Sequence, residues 1–102
     1  MRFFLISDNI DTEVGMRMAG IEGVVVHDRE ETLGALRKAM ADREVAIVLL
    51  TAPLAALCRV EVDTLKLERA VPLIVEIPDR HGNGRASDSI TRYVREAVGI
   101  NL

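Results

Sequence analysis

The stretch Val45-Ala46-Ile47-Val48-Leu49-Leu50-Thr51 is aliphatic at every position up to its closing threonine. A strand with one wet face alternates apolar and polar residues. An unbroken run marks a strand covered on both faces, as in a parallel sheet between helices. Residues 3–7, 23–27 and 73–77 read the same way, with Val, Ile, Leu or Phe at most positions. The polar segments between these runs carry helical spacing and capping residues. Strand and helix therefore alternate four times, which implies a mostly parallel sheet with right-handed crossovers.

The helix after residue 28 is the clearest. Asp28 is placed to cap it, and Glu31, three residues on, completes a capping-box-like pattern. Leu33, Leu36 and Met40 form its apolar stripe, with Glu30 and Glu31 early and Arg37 and Lys38 late, as the helix dipole favours. After the third strand, Thr51 is the expected cap and Pro53 falls in the first turn, with Leu54, Leu57 and Cys58 facing inward. The first helix, expected over residues 11–19, contains Gly15, which weakens it unless something packs against that backbone. Gly20 and Gly23 are expected to break the chain before strand two.

After Pro78 the chain turns polar and glycine-bearing through Arg80, His81, Gly82, Asn83, Gly84 and Arg85. Ser87 or Ser89 is placed to cap a last helix whose stripe is Ile90, Tyr93, Val94, Ala97 and Val98, a spacing of i, i+3, i+4, i+7 and i+8. The expected fold is thus one small α/β domain of flavodoxin-like (Rossmann-like) type. It has a four-stranded parallel sheet, helices on both faces and a C-terminal helix. Residues 1–78 form the α/β core, 79–88 a flexible loop, and 89–102 the last helix, either part of the domain or a docking element.

Composition narrows function by exclusion. The chain has 102 residues, enough for one core. A net charge of −3 and three aromatic residues supply neither the basic face nor the stacking platform that nucleic acid requires. The single cysteine, Cys58, excludes an internal disulfide and a cysteine-built zinc site, and its apolar neighbours point to a buried thiol. The apolar start is cut short by Ser7 and Asp8, and the longest apolar stretch is too short to span a bilayer. A cytoplasmic protein without membrane insertion is the expectation.

Catalytic patterns are missing where this fold would hold them. A phosphoacceptor receiver needs an aspartate after strand three and a lysine after a later strand; this chain has Thr51 and Pro78 there. Gly15 and Gly20 have phosphate-loop spacing, but Ile21 and Glu22 follow in place of Lys and Ser or Thr. Gly82-Asn83-Gly84 has no third glycine opening a helix, so a plain loop is the better reading. His27 and His81 are distant and lack a third obvious ligand. Asp8 and Asp28 fall at the carboxyl edge of the sheet, where helix capping explains them more simply than ligand binding. No catalytic residue, cofactor or metal is expected. A small-molecule module using the edge around Asp8, Thr51 and Pro78, or a degenerate receiver-like signalling module, stays as the alternative.

The chain resembles the F subunit of the vacuolar/archaeal-type rotary ATPase and ATP synthase over nearly its whole length. The likeness lies in Asp8, in Asp11-Thr12-Glu13-Val14-Gly15-Met16-Arg17-Met18-Ala19-Gly20-Ile21, in Arg69-Ala70-Val71-Pro72-Leu73-Ile74-Val75-Glu76-Ile77-Pro78, and in Ser89-Ile90-Thr91-Arg92-Tyr93-Val94-Arg95-Glu96-Ala97-Val98-Gly99. The resemblance implies a non-catalytic part of the central stalk. Its partners would be the coiled-coil D subunit of the stalk, the subunit seating the stalk on the membrane ring, and the A and B catalytic sector. It also implies a contact role for the C-terminal segment. Within that segment Arg85, Ser89, Ile90, Arg92, Tyr93, Val94 and Ala97 are the expected partner-binding residues, Tyr and Arg being enriched at interfaces.

Overall fold

The computed structural model describes residues 2–78. The loop expected over 79–88 and the helix expected over 89–102 lie outside the described residues. The elements run β1 (Arg2–Ser7), α1 (Ile10–Met18), β2 (Glu22–Val25), α2 (Arg29–Ala41), β3 (Val45–Thr51), α3 (Ala52–Leu57), α4 (Arg59–Glu68) and β4 (Leu73–Ile77). The strands form one sheet in the order β2-β1-β3-β4, with every neighbouring pair parallel. This is the expected doubly wound arrangement, with the two most continuously apolar strands, β1 and β3, in the middle.

The pairing of Phe3 with Ile47, Phe4 with Val48, Leu5 with Leu49 and Ile6 with Leu50 sorts alternate residues onto opposite faces. Ile6, Val48, Leu50 and Ile74 join Leu36, Met40, Leu54 and Val62 beneath α2, α3 and α4. Leu5, Ile47, Leu49 and Ile77 form the second cluster with Met16 of α1. Each fully buried side chain of this size contributes about 1.5–3 kcal/mol. The run at residues 45–51 therefore feeds two cores, which explains why it tolerates no polar residue before Thr51.

Local differences from the sequence reading have clear causes. Helix α1 begins at Ile10, not Asp11, because the Asn9 side chain accepts the Thr12 N–H at 2.7 Å and caps the helix. Thr51 precedes α3, as expected of a cap, but makes no side-chain capping bond; its Oγ1 accepts the Asp8 N–H at 3.2 Å instead. Cys58 is fully buried, as expected, and burial pushes its thiol pKa up, which leaves the sulfur protonated and inert. Leu57, expected inward, is 48% exposed. The segment between β3 and β4 is two helices meeting at Cys58, where the backbone reaches φ −122° and ψ 35°. Leu54, Ala55, Cys58, Val62 and Leu65 still make one inward stripe across both helices, which turns Leu57 outward. The capping of α2 follows expectation: Asp28 accepts the Glu31 N–H at 2.8 Å, while Glu31 reaches back to the His27 N–H at 2.9 Å.

Two glycines have opposite meanings. Gly23 lies inside β2, not ahead of it, opposite Leu5. A Cβ there would sit 2.6 Å from Leu5 Cβ and 2.7 Å from the Leu5 carbonyl oxygen, so β2 can pair this closely only with glycine. A Cβ placed on Gly15 in α1 would meet no atom within 4 Å, so nothing packs against that backbone. Gly15→Ala is expected to stabilise the fold by about 0.5–1 kcal/mol through helix propensity. Gly23→Ala is expected to destabilise it by about 1–3 kcal/mol through overpacking. Thermal unfolding of the two variants should move Tm in opposite directions. A neutral or stabilising Gly23→Ala would show that β2 does not need the close approach.

Candidate functional site

In a parallel α/β sheet ligands bind at the carboxyl ends of the strands. Here that edge is formed by Ser7-Asp8-Asn9, Val26-His27-Asp28, Thr51 and Ile77-Pro78. Several of its polar groups are engaged with one another. Ser7 Oγ donates to the Asn9 carbonyl at 2.7 Å and accepts the Asn9 N–H at 3.0 Å, closing a tight turn. Thr51 Oγ1, at the position a receiver would give to its aspartate, takes the Asp8 N–H and so pins this turn to β3. Asn9 Nδ2 donates to Asp8 Oδ1 at 3.3 Å, and Asp28 is the cap of α2. Asp8 itself caps nothing; the neighbouring Asn9 does. Among the described residues no three His, Cys, Asp or Glu side chains come together, and every buried side-chain nitrogen or oxygen has a partner. The edge is built to hold its own loops in place.

The strongest electrostatic feature lies away from this edge. Glu76 of β4 receives both arms of the Arg59 guanidinium at 2.7 and 2.8 Å, and Lys66 Nζ at 2.6 Å. Arg59 also reaches Asp63, one turn along α4, at 3.3 Å. The paired hydrogen bonds from Arg59, aided by Lys66 and opposed by partial burial, hold the Glu76 carboxyl down at about 2. The cluster clamps α4 to the outer strand of the sheet. Sequence reasoning missed it because Arg59 and Glu76 are 17 positions apart and share no periodic pattern. It also missed Asn9 as a cap, although an Asn just before a helical stretch is a readable signal.

None of the partner-binding residues expected from sequence (Arg85, Ser89, Ile90, Arg92, Tyr93, Val94, Ala97) falls among the described residues, and neither does His81. What the described residues do offer is exposed apolar surface on α4 and just beyond it, at Val60, Leu67 and Val71. No helix among the described residues is long and apolar enough to cross a membrane.

Sheet order and crossovers together define a small flavodoxin-like α/β domain whose carboxyl edge carries hydrogen bonds among Ser7, Asp8, Asn9 and Thr51. The chain belongs to the ATP synthase (F/14-kDa) subunit family, whose profile matches residues 4–94. It is 30% identical over 93 residues to the F subunit of the A-type ATP synthase of Methanocaldococcus jannaschii, covering 90% of each chain. It is 31% identical to the corresponding A-type ATP synthase F subunit of Pyrococcus furiosus, covering 100% of this chain and 98% of that one. The F subunit of Thermococcus kodakarensis is 29% identical with the same coverage.

The clamp has a pH signature. Because the folded Glu76 carboxyl titrates below its ordinary value of 4.5, its contribution to stability is full above about pH 4.5 and is lost as pH falls toward 2. Glu76→Gln is expected to lower stability near neutrality by on the order of 1 kcal/mol, a value reduced by solvent screening. Denaturant titrations at several pH values should show wild type and variant converging in acid. A deficit that stays constant from pH 6 to about pH 2 would show that the carboxylate charge is not what holds α4.

Proposed function

We propose that this chain is a non-catalytic component of the central stalk of an A-type ATP synthase or V/A-type ATPase, where it binds the coiled-coil D subunit. The observation that carries the proposal is the near end-to-end alignment with proteins named as F subunits of A-type ATP synthases. The chain spans those proteins almost completely, so no additional domain of theirs is left to supply their role. The carboxyl edge adds independent support: groups that would grip a substrate in a small α/β enzyme are instead spent on Ser7, Asn9 and Thr51 contacts. A domain of this kind acts through its outer surfaces, peripheral to the membrane and on its cytoplasmic side. In that role it strengthens the stalk and tunes ATP-driven ion transport or ATP synthesis carried out in the A and B subunits.

The contact with the D subunit is placed on the C-terminal segment, at Arg85, Ser89, Ile90, Arg92, Tyr93, Val94 and Ala97. An apolar stripe with a tyrosine and flanking arginines suits a groove along a coiled coil, Tyr and Arg being residue types enriched at interfaces.

Mixed with the D subunit from the same organism, the full chain should co-elute as a one-to-one complex and give a saturable calorimetric titration. Truncation after Pro78 retains all four strands and is expected to remove most of that affinity while circular dichroism stays that of a folded α/β domain. Absence of binding with both full-length proteins folded would overturn the stalk assignment. An unfolded truncation product would instead make the last segment part of the core and overturn its role as the docking element.

A further inference from the structure

Helices α2 and α4 do not close on one another over their whole length. Between them, near the amino ends of β3 and β4, lies an open groove of about 760 Å³. Its floor is apolar, built from Leu36, Met40, Val45, Leu65 and Pro72. The apolar surface does not stop at the groove. Val60, on its wall, is 75% exposed, and Leu67, on the same face of α4 one turn beyond Thr64, is 89% exposed. An apolar groove with an exposed apolar residue on its wall is the kind of surface a partner covers.

Charge indicates what docks. The two acids lining the groove are already matched within the chain: Asp42 pairs with Arg2, and Glu61 with Arg29. Three arginines line it as well. Arg69 donates to the Met40 carbonyl at 3.1 Å, and Arg37 and Arg43 point to no acid among the described residues. A chain whose net charge is −3 thus lines this groove, among the described residues, with arginines that no acid matches.

The protein's own C-terminal segment is a poor occupant. Residues 79–102 carry four arginines (Arg80, Arg85, Arg92, Arg95) against three acids, the wrong balance for an arginine rim. A second copy meeting groove to groove would set one arginine-lined face against another.

We propose that the α2–α4 groove docks an amphipathic helix of a different polypeptide, with its apolar stripe on Leu36, Met40 and Val60 and acidic residues along its flanks facing Arg37, Arg43 and Arg69. This is the helix-in-groove mode, in which apolar anchors supply affinity and flanking charge sets orientation and partner choice. The site is separate from the contact proposed for residues 79–102 and does not depend on it.

The test uses two helical peptides of about 20 residues, long enough to hold a helix. Both carry leucines at i, i+3, i+4 and i+7; one is flanked by glutamates and the other by lysines. Titrated into the isotope-labelled full chain, the glutamate peptide should bind saturably and shift amide signals of α2, α4 and residues 69–72. The lysine peptide should bind about tenfold more weakly or worse. The Arg37→Glu/Arg43→Glu double variant should reverse that preference. Val60→Asp, an exposed change that leaves the core untouched, should abolish binding of both. The proposal is overturned by equal affinity for the two peptides, by a preference that survives charge reversal, by shifts on other faces, or by no binding of either peptide. Decanoate saturating the groove while neither peptide binds would make it a site for a small amphiphilic anion and overturn the proposal equally. Loss of binding to the D subunit on truncation after Pro78 leaves all these readouts in place, so the two ideas fail separately.

Discussion

The in-register pairing of β1 with β3 is the constraint on which the rest of the structure depends. Once Leu5 lies beside Leu49 and Ile6 beside Leu50, each strand presents one apolar row to each face of the sheet. Neither face can then be left to water, so helices must cover both, and the connections must be crossovers long enough to hold them. The two clusters that result share a backbone but no side chains. A slip of one residue in this register would exchange the two rows completely. The close approach of Gly23 to Leu5 extends the same constraint outward to β2.

At the carboxyl edge and the outer strand, polar groups fix geometry. At the carboxyl edge, Ser7, Asn9 and Thr51 use their hydroxyl and amide groups to satisfy backbone N–H and C=O groups that the end of a strand and the start of a helix leave open. At the outer strand, Arg59 and Lys66 anchor α4 through Glu76. Such partly exposed pairs contribute modestly to stability, but the two-armed Arg59–Glu76 contact constrains direction as well as distance. A domain with its polar groups committed in this way is suited to serve as a rigid body that carries contact surfaces. That is consistent with membership of a family of ATP synthase subunits.

The groove between α2 and α4 follows from the same anchoring. Glu76 holds Arg59 and Lys66 toward the outer strand, and the Arg29–Glu61 pair ties α2 to the first turn of α4. The helices are joined at that end, while further along, toward Arg43 and Arg69, the space between them stays open. Val60 and Leu67 are left on the outside because the inward face of α4 is already occupied by Val62 and Leu65.

The sequence by itself determined the number of strands, their parallel arrangement and most of their limits, because burial on both faces demands unbroken apolar runs and leaves little freedom in where they end. It also determined the cap of α2, since Asp28 and Glu31 act over three residues and need no distant partner. The carboxyl edge was legible as a set of candidate residues, but not as a closed network. The bond from Asp8 to Thr51 spans 43 positions and exists only once β1 and β3 are adjacent. For the same reason the Arg59–Glu76 clamp and the arginine-rimmed groove were invisible: each is assembled from segments whose separation in sequence carries no periodic signal. The break at Cys58 belongs with them, because no glycine or proline marks it and the apolar stripe runs through it undisturbed. Local patterns encode what one element does with its own residues. Which side chains from different elements meet is decided only when the sheet brings them together.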